Sequence, residues 1–92
     1  MDARVQRDGD TVSFTGRLDR DSVPALWRAL GTTGAPARSV RLQQVEAVDS
    51  AGIALLAELA ARSPDGLVVE GTPAGLAELR DAYRLDEQLR FA

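Results

Sequence analysis

The sequence predicts an α/β domain: a four-stranded mixed sheet with helices mainly on one face, in the order β-β-α-β-α-β-α. Three observations predict it. Short stretches of period-2 alternation occur at Val12/Phe14 and Val40/Leu42, the pattern of half-buried strands. Apolar residues at i, i+3, i+4 and i+7 occur at Val23, Leu26, Trp27 and Leu30, one face of a helix. Turn and capping residues separate these segments at intervals too short for a second core.

Each element has its own signal. Arg4 to Gln6 and Thr11 to Thr15 read as two strands joined at Asp8-Gly9, since Gly accepts the positive φ of a hairpin turn. The first strand should therefore pair antiparallel. Gly16 to Arg20 leads off the sheet, and Asp21 or Ser22 can cap the first helix, with Pro24 in its first turn. Gly31 to Ala37 (GTTGAPA) reads as a loop and the expected site of mobility. A strand through Val40 and Leu42 then enters Asp49-Ser50-Ala51-Gly52, and a helix from about Ala51 to Arg62 follows. On that helix Gly52, Leu55, Leu56, Leu59 and Ala60 form the core face. Glu58 and Arg62 can pair at i, i+4 on the other side.

Pro64-Asp65-Gly66 is a turn, and Leu67 to Val69 reads as a strand buried on both faces. Thr72 caps a third helix with Pro73 at its first position, and Leu76, Leu79 and Tyr83 face the core. Leu85, Leu89 and Phe91 suggest a C-terminal turn packing back. Strands separated by helices should be parallel and joined by right-handed crossovers.

Composition narrows the function. Ninety-two residues make one domain, residues 1–92. No cysteine and no histidine are present. Thiolate metal sites, disulfides, and the usual general base and metal ligand are thereby excluded, and no cofactor or metal is expected. The eleven cations are all arginine, which we read as GC-rich codon usage, against fourteen acids for a net charge of −3. With no basic stripe, nucleic acid is not an expected partner. The charged N-terminus, MDARVQRDGD, is not a secretory signal. No apolar run is long enough to cross a bilayer, so a cytoplasmic location is expected.

The one segment with distinctive chemistry is the Asp49-Ser50-Ala51-Gly52 turn. It stands where a strand ends and a helix begins, the place where open α/β sheets gather binding sites. A helix N-terminus offers unpaired N–H groups and a partial positive charge. Asp49 or Ser50 can simply cap it, which is the commonplace role of such residues. Alternatively Ser50 points outward as a donor and Gly52 lets another backbone approach. Ala54, Ala57 and Ala61 form a flat, uncharged strip that allows a partner to come close, or merely reflect the high helix propensity of alanine. Trp27 reads as a core or rim residue. Leu18-Asp19-Arg20-Asp21 could lie near the Asp49 turn, but reads more plainly as a solvated loop.

These residues carry a resemblance. Gly16-Arg17-Leu18-Asp19 before the first helix, and the block from Val40 to Leu56 with Val48-Asp49-Ser50-Ala51-Gly52 at its centre, resemble the STAS domain of anti-sigma-factor antagonists and sulfate transporters. The resemblance covers nearly the whole chain. It implies a STAS-type fold. In the antagonists a serine directly before the glycine is phosphorylated, and that position is Ala51 here. The hydroxyl-Ala-Gly pattern at Ser50, with Leu26-Trp27 in the first helix, is similar to the STAS subunit of Mla-type phospholipid-transport ABC systems. That similarity implies a non-catalytic subunit that binds the ATPase beneath an inner-membrane permease, without entering the membrane itself. Its partner-contacting position would be Ser50, with Asp49 holding the turn, Ala51 and Gly52 beside it, and Ile53, Ala54 and Ala57 in apolar contact. The alternative is an antagonist with a displaced phosphosite at Ser50. An enzyme is the least supported reading, because no phosphate loop of the GxxxxGK type and no Lys, His or Cys is available.

Overall fold

A computed structural model describes residues 3–30, 37–63, 66–86 and 89. Strand β1 (Arg4–Asp8) and strand β2 (Thr11–Leu18) form an antiparallel hairpin, Asp8 pairing with Thr11 across Gly9-Asp10. Gly9 takes φ +62, the left-handed conformation that a two-residue hairpin demands. Helix α1 (Val23–Leu30) leads to strand β3 (Ser39–Val48), helix α2 (Ser50–Ala61), strand β4 (Val68–Glu70) and helix α3 (Leu76–Ala82). The sheet order is β1-β2-β3-β4, with β2, β3 and β4 mutually parallel. The α/β class and the β-β-α-β-α-β-α order agree with the sequence reading.

Alternation on β2 divides the sheet into two faces. Val12, Phe14 and Leu18 are buried on one side, while Thr11, Ser13 and Thr15 are only half-covered on the other. Val40, Leu42, Val45 and Val48 of β3 join the buried side. Helix α2 packs on β2 and β3, α1 on β1 and α2, and α3 on α2. The core therefore lies between one sheet face and the helical layer, and the opposite face stays open and polar.

Several local expectations are corrected. Strand β2 does not leave the sheet at Gly16 but continues to Leu18. Its register against β3 shifts between Gly16 and Arg17, and Gly16 takes φ +88 there, a bulge that only a residue without Cβ adopts at no steric cost. Strand β4 is not buried on both faces: it is a three-residue edge strand with Val68 58% exposed, and only Leu67 before it is fully enclosed. Thr72 does not cap α3. The residues after Gly71 run beside β3, where Ala74 pairs with Ala47 and accepts the Val48 N–H. The helix begins two residues later, with Gly75 as its N-cap. Tyr83 follows α3 as its C-cap and is exposed, whereas Leu76 is buried as expected.

Leu85 and Leu89 pack back into the core; Phe91 lies outside the described residues, as do residues 31–36 of the expected mobile loop and Pro64-Asp65 of the expected turn. Ala37, the last residue of that loop segment, is buried. Its carbonyl lies 2.6 Å from the hydroxyl of Ser63, the one buried polar side chain among the described residues. The same hydroxyl lies 2.9 Å from Leu59 O. It thereby ties the end of α2 to the chain before β3.

Candidate functional site

The start of α2 is built by one carboxylate. Asp49 has extended backbone (φ −107, ψ −169) and serves as N-cap. Its Oδ1 accepts the N–H groups of Ala51 (2.8 Å) and Gly52 (3.0 Å), two of the donors that a helix start leaves without intrahelical partners. Its Oδ2 accepts the Arg20 N–H at 3.2 Å, and its own N–H donates to Leu18 O at 3.1 Å. Asp49 therefore does more than cap. It bolts the β2–α1 loop onto the end of β3, so the Leu18-Asp19-Arg20-Asp21 segment does lie beside the turn.

That loop is itself fixed. Asp19 Oδ1 accepts the N–H groups of Asp21 and Ser22, the local side-chain-to-backbone pattern that aspartate favours in turns. The Ser22 hydroxyl donates to Arg17 O at 2.7 Å instead of capping α1. The Ser22 carbonyl accepts the Leu26 N–H and opens the helix. Capping of α1 by Asp21 is thus replaced by an Asp19-centred turn.

Gly52 is buried, and the backbone that comes close to it belongs to this chain. A Cβ built on Gly52 would meet Leu18 O at 2.2 Å. The expectation that Gly52 admits a partner backbone is corrected: the missing side chain makes room for β2. Ile53 is corrected likewise. It is 2% exposed and sits in the core with Leu55 and Leu56, so it offers nothing to a partner. The physical reason is the width of the arc that α2 buries. Wedged against β2, β3, α1 and α3, the helix covers Ile53 as well as its five predicted core positions.

The remaining residues face outward. Ser50 is exposed, and its hydroxyl makes no hydrogen bond among the described residues. Ala54 and Ala61 are exposed, while Ala51 and Ala57 are half-buried. At 100° per residue, Ser50, Ala54, Ala57 and Ala61 share one strip of the α2 surface. Glu58 and Arg62 run alongside it, paired at 3.3 Å. The Arg62 guanidinium lies 5.1 Å from the ring centre of Trp27, close enough for a cation–π contact, and Trp27 is half-buried against the core as a rim residue. Sequence reasoning missed this Trp27–Arg62 contact, because Trp27 lies in α1 and Arg62 caps the end of α2, and no spacing rule relates them.

The arrangement is a small, nearly flat surface with one free hydroxyl on a rigid turn. Among the described residues no group of three or more Asp and Glu side chains is placed to hold a metal ion. No helix among them is long and apolar enough to cross a membrane. A concavity of about 880 Å³ lies instead on the open sheet face, lined by Arg4, Gln6, Ser13, Thr15, Gln44 and Glu46.

Two substitutions test the construction of this turn. Gly52→Ala should destabilise the fold by at least about 2 kcal/mol, because its methyl meets a backbone carbonyl that cannot swing aside; urea unfolding measures it. Asp49→Ala should cost about 1 kcal/mol or more through the lost cap. Asp49→Asn keeps one acceptor oxygen for the Ala51 and Gly52 N–H groups but sets an amide NH2 against the Arg20 N–H, and should recover only part of that loss in the same assay.

No curated protein matches the chain. A protein-family model described as "Mlab, STAS domain" matches residues 1–90, which takes in the four strands and three helices of the described residues. On that match, and on a mixed sheet whose β3–α2 turn carries Asp49-Ser50-Ala51-Gly52, the chain belongs to the STAS-domain family in its MlaB-like branch.

Proposed function

We propose that this protein is a non-catalytic STAS subunit that binds, and thereby stabilises or regulates, the cytoplasmic ATPase of an Mla-type phospholipid-transport ABC complex. It is then cytoplasmic, and is held at the inner membrane only through that ATPase and its permease. The MlaB-like family match supports the class of partner. The observation that carries the site is the exposed, unengaged hydroxyl of Ser50 on a turn whose backbone Asp49 already satisfies. Because Asp49 does the capping, Ser50 has no structural duty to leave when a partner arrives. Ser50 forms the polar centre of the contact, Ala51, Ala54 and Ala57 supply the close apolar surround, and Gly52 and Ile53 shape the turn from inside.

A hydrogen bond from Ser50 to a polar group of the ATPase is desolvated once the surfaces close. Its removal then costs about 1–3 kcal/mol, since the partner's group is left without a mate. The second reading, an anti-sigma-factor antagonist phosphorylated at Ser50, draws on the same exposed hydroxyl. A phosphate there would gain from the helix N-terminus but face the Asp49 carboxylate at once, and the residue directly before the glycine is Ala51.

Ser50→Arg should abolish co-purification with the cognate ATPase while far-ultraviolet circular dichroism and thermal unfolding stay those of the wild type. Retained co-purification overturns the site. Incubation with ATP and the kinase encoded beside the gene, if there is one, should leave the intact mass unchanged; a gain of one phosphate at Ser50 would favour the second reading instead.

A further inference from the structure

Strand β1 forms one edge of the sheet, paired with β2 and with no strand on its other side among the described residues. An unpaired edge is a template for another strand. Its sequence, Arg4-Val5-Gln6-Arg7-Asp8, is exposed at every position except the half-buried Val5. Arg4, Gln6 and Asp8 alternate onto the same face, the open polar one where Arg4 and Gln6 line the concavity with Ser13 and Thr15.

Two charges on this edge lack mates within the chain. Elsewhere on the sheet Arg17 of β2 pairs with Glu46 of β3 at 3.4 Å, and Arg41 of β3 with Glu70 of β4 at 3.0 Å. Arg4 and Asp8 form no ion pair among the described residues. They cannot neutralise one another within the chain, since four residues of extended strand separate their Cα atoms by about 13 Å.

We propose that β1 is a self-complementary edge that joins two copies of this chain into a symmetric dimer with one continuous eight-stranded sheet. Antiparallel pairing with matched faces admits registers centred on Val5, Gln6 or Arg7. Centring on Arg7 sets Arg7 against its own copy, and centring on Val5 leaves Asp8 outside the ladder. Centring on Gln6 pairs all five residues and sets Arg4 opposite Asp8 of the second copy, twice by symmetry. Opposite charges directly across a strand pair are favourable, and like charges are not. Arg4 and Asp8 therefore favour the Gln6-centred register over the other two, although edge charges more often guard a strand against pairing. A five-residue ladder is small, so the dimer is a weak one that populates at high protein concentration.

Sedimentation velocity on the full chain across a concentration series tests this. The wild type should shift toward a dimer as concentration rises. Arg4→Asp and Asp8→Arg, each alone, should weaken association at least tenfold, because each places like charges in both pairs. An equimolar mixture of these two variants should associate again. In the mixed dimer the acid introduced at position 4 faces the base introduced at position 8, and the native Asp8 of one copy faces the native Arg4 of the other. Unchanged circular dichroism in each variant certifies the fold. A wild type that stays monomeric throughout, single variants that associate as the wild type does, or a mixture that stays monomeric, each overturns the proposal. The outcome is independent of the Ser50 surface, which lies at the start of α2 and not on β1.

Discussion

The carboxylate of Asp49 is the constraint on which the site depends. A strand that ends and a helix that begins within two residues would leave backbone donors exposed at the point where three segments meet. One side chain resolves this. Its two oxygens take N–H groups from α2 on one side and from the β2–α1 loop on the other, while its own N–H is anchored to Leu18 O. Gly52 completes the junction by letting α2 lie against β2 without a side chain between. The turn is thus stiff before any partner meets it, and preorganisation of this kind reduces the entropy lost on binding.

This division of labour gives the neighbouring residue its freedom. Had Ser50 been the cap, its hydroxyl would be committed to the helix, and recruiting it would expose the donors beneath. With Asp49 as the cap, Ser50 stands at the first helical position with its side chain outward. The alanines at 54, 57 and 61 keep the adjoining surface low, and Glu58, Arg62 and Trp27 form a more structured border along one side of it. Family membership rests on the match over residues 1–90; the use of this surface for an ATPase is the functional proposal built on it.

Much of this was legible in the sequence, for reasons that differ between elements. The hairpin and β3 followed from alternation, because a sheet with one buried face imposes period 2 on its residues. The core face of α2 followed from helical spacing at Gly52, Leu55, Leu56, Leu59 and Ala60, all of which are buried. Ile53 was misplaced because a helix embedded on several sides buries a wider arc than a two-layer contact would. A glycine at position 52 marks a close approach of backbone, but spacing cannot say that the approaching backbone is this chain's own β2. Thr72-Pro73 has the local signature of a helix start, and lateral pairing of Ala74 with β3 overrode it. The Ser63 link to Ala37 and the Arg62–Trp27 contact join residues distant in sequence, and no local pattern announces them.

The absence of cysteine allows a direct test of the central claim. Ser50→Cys places one thiol, nearly isosteric with the native side chain, at the position argued to be displayed. Its rate of alkylation can be followed by intact mass, in the isolated protein and in complex with the cognate ATPase. The account predicts rapid labelling alone and at least a tenfold slower rate in the complex. A thiol that labels equally fast in both states, while the complex demonstrably forms, would place the docking surface elsewhere on the domain.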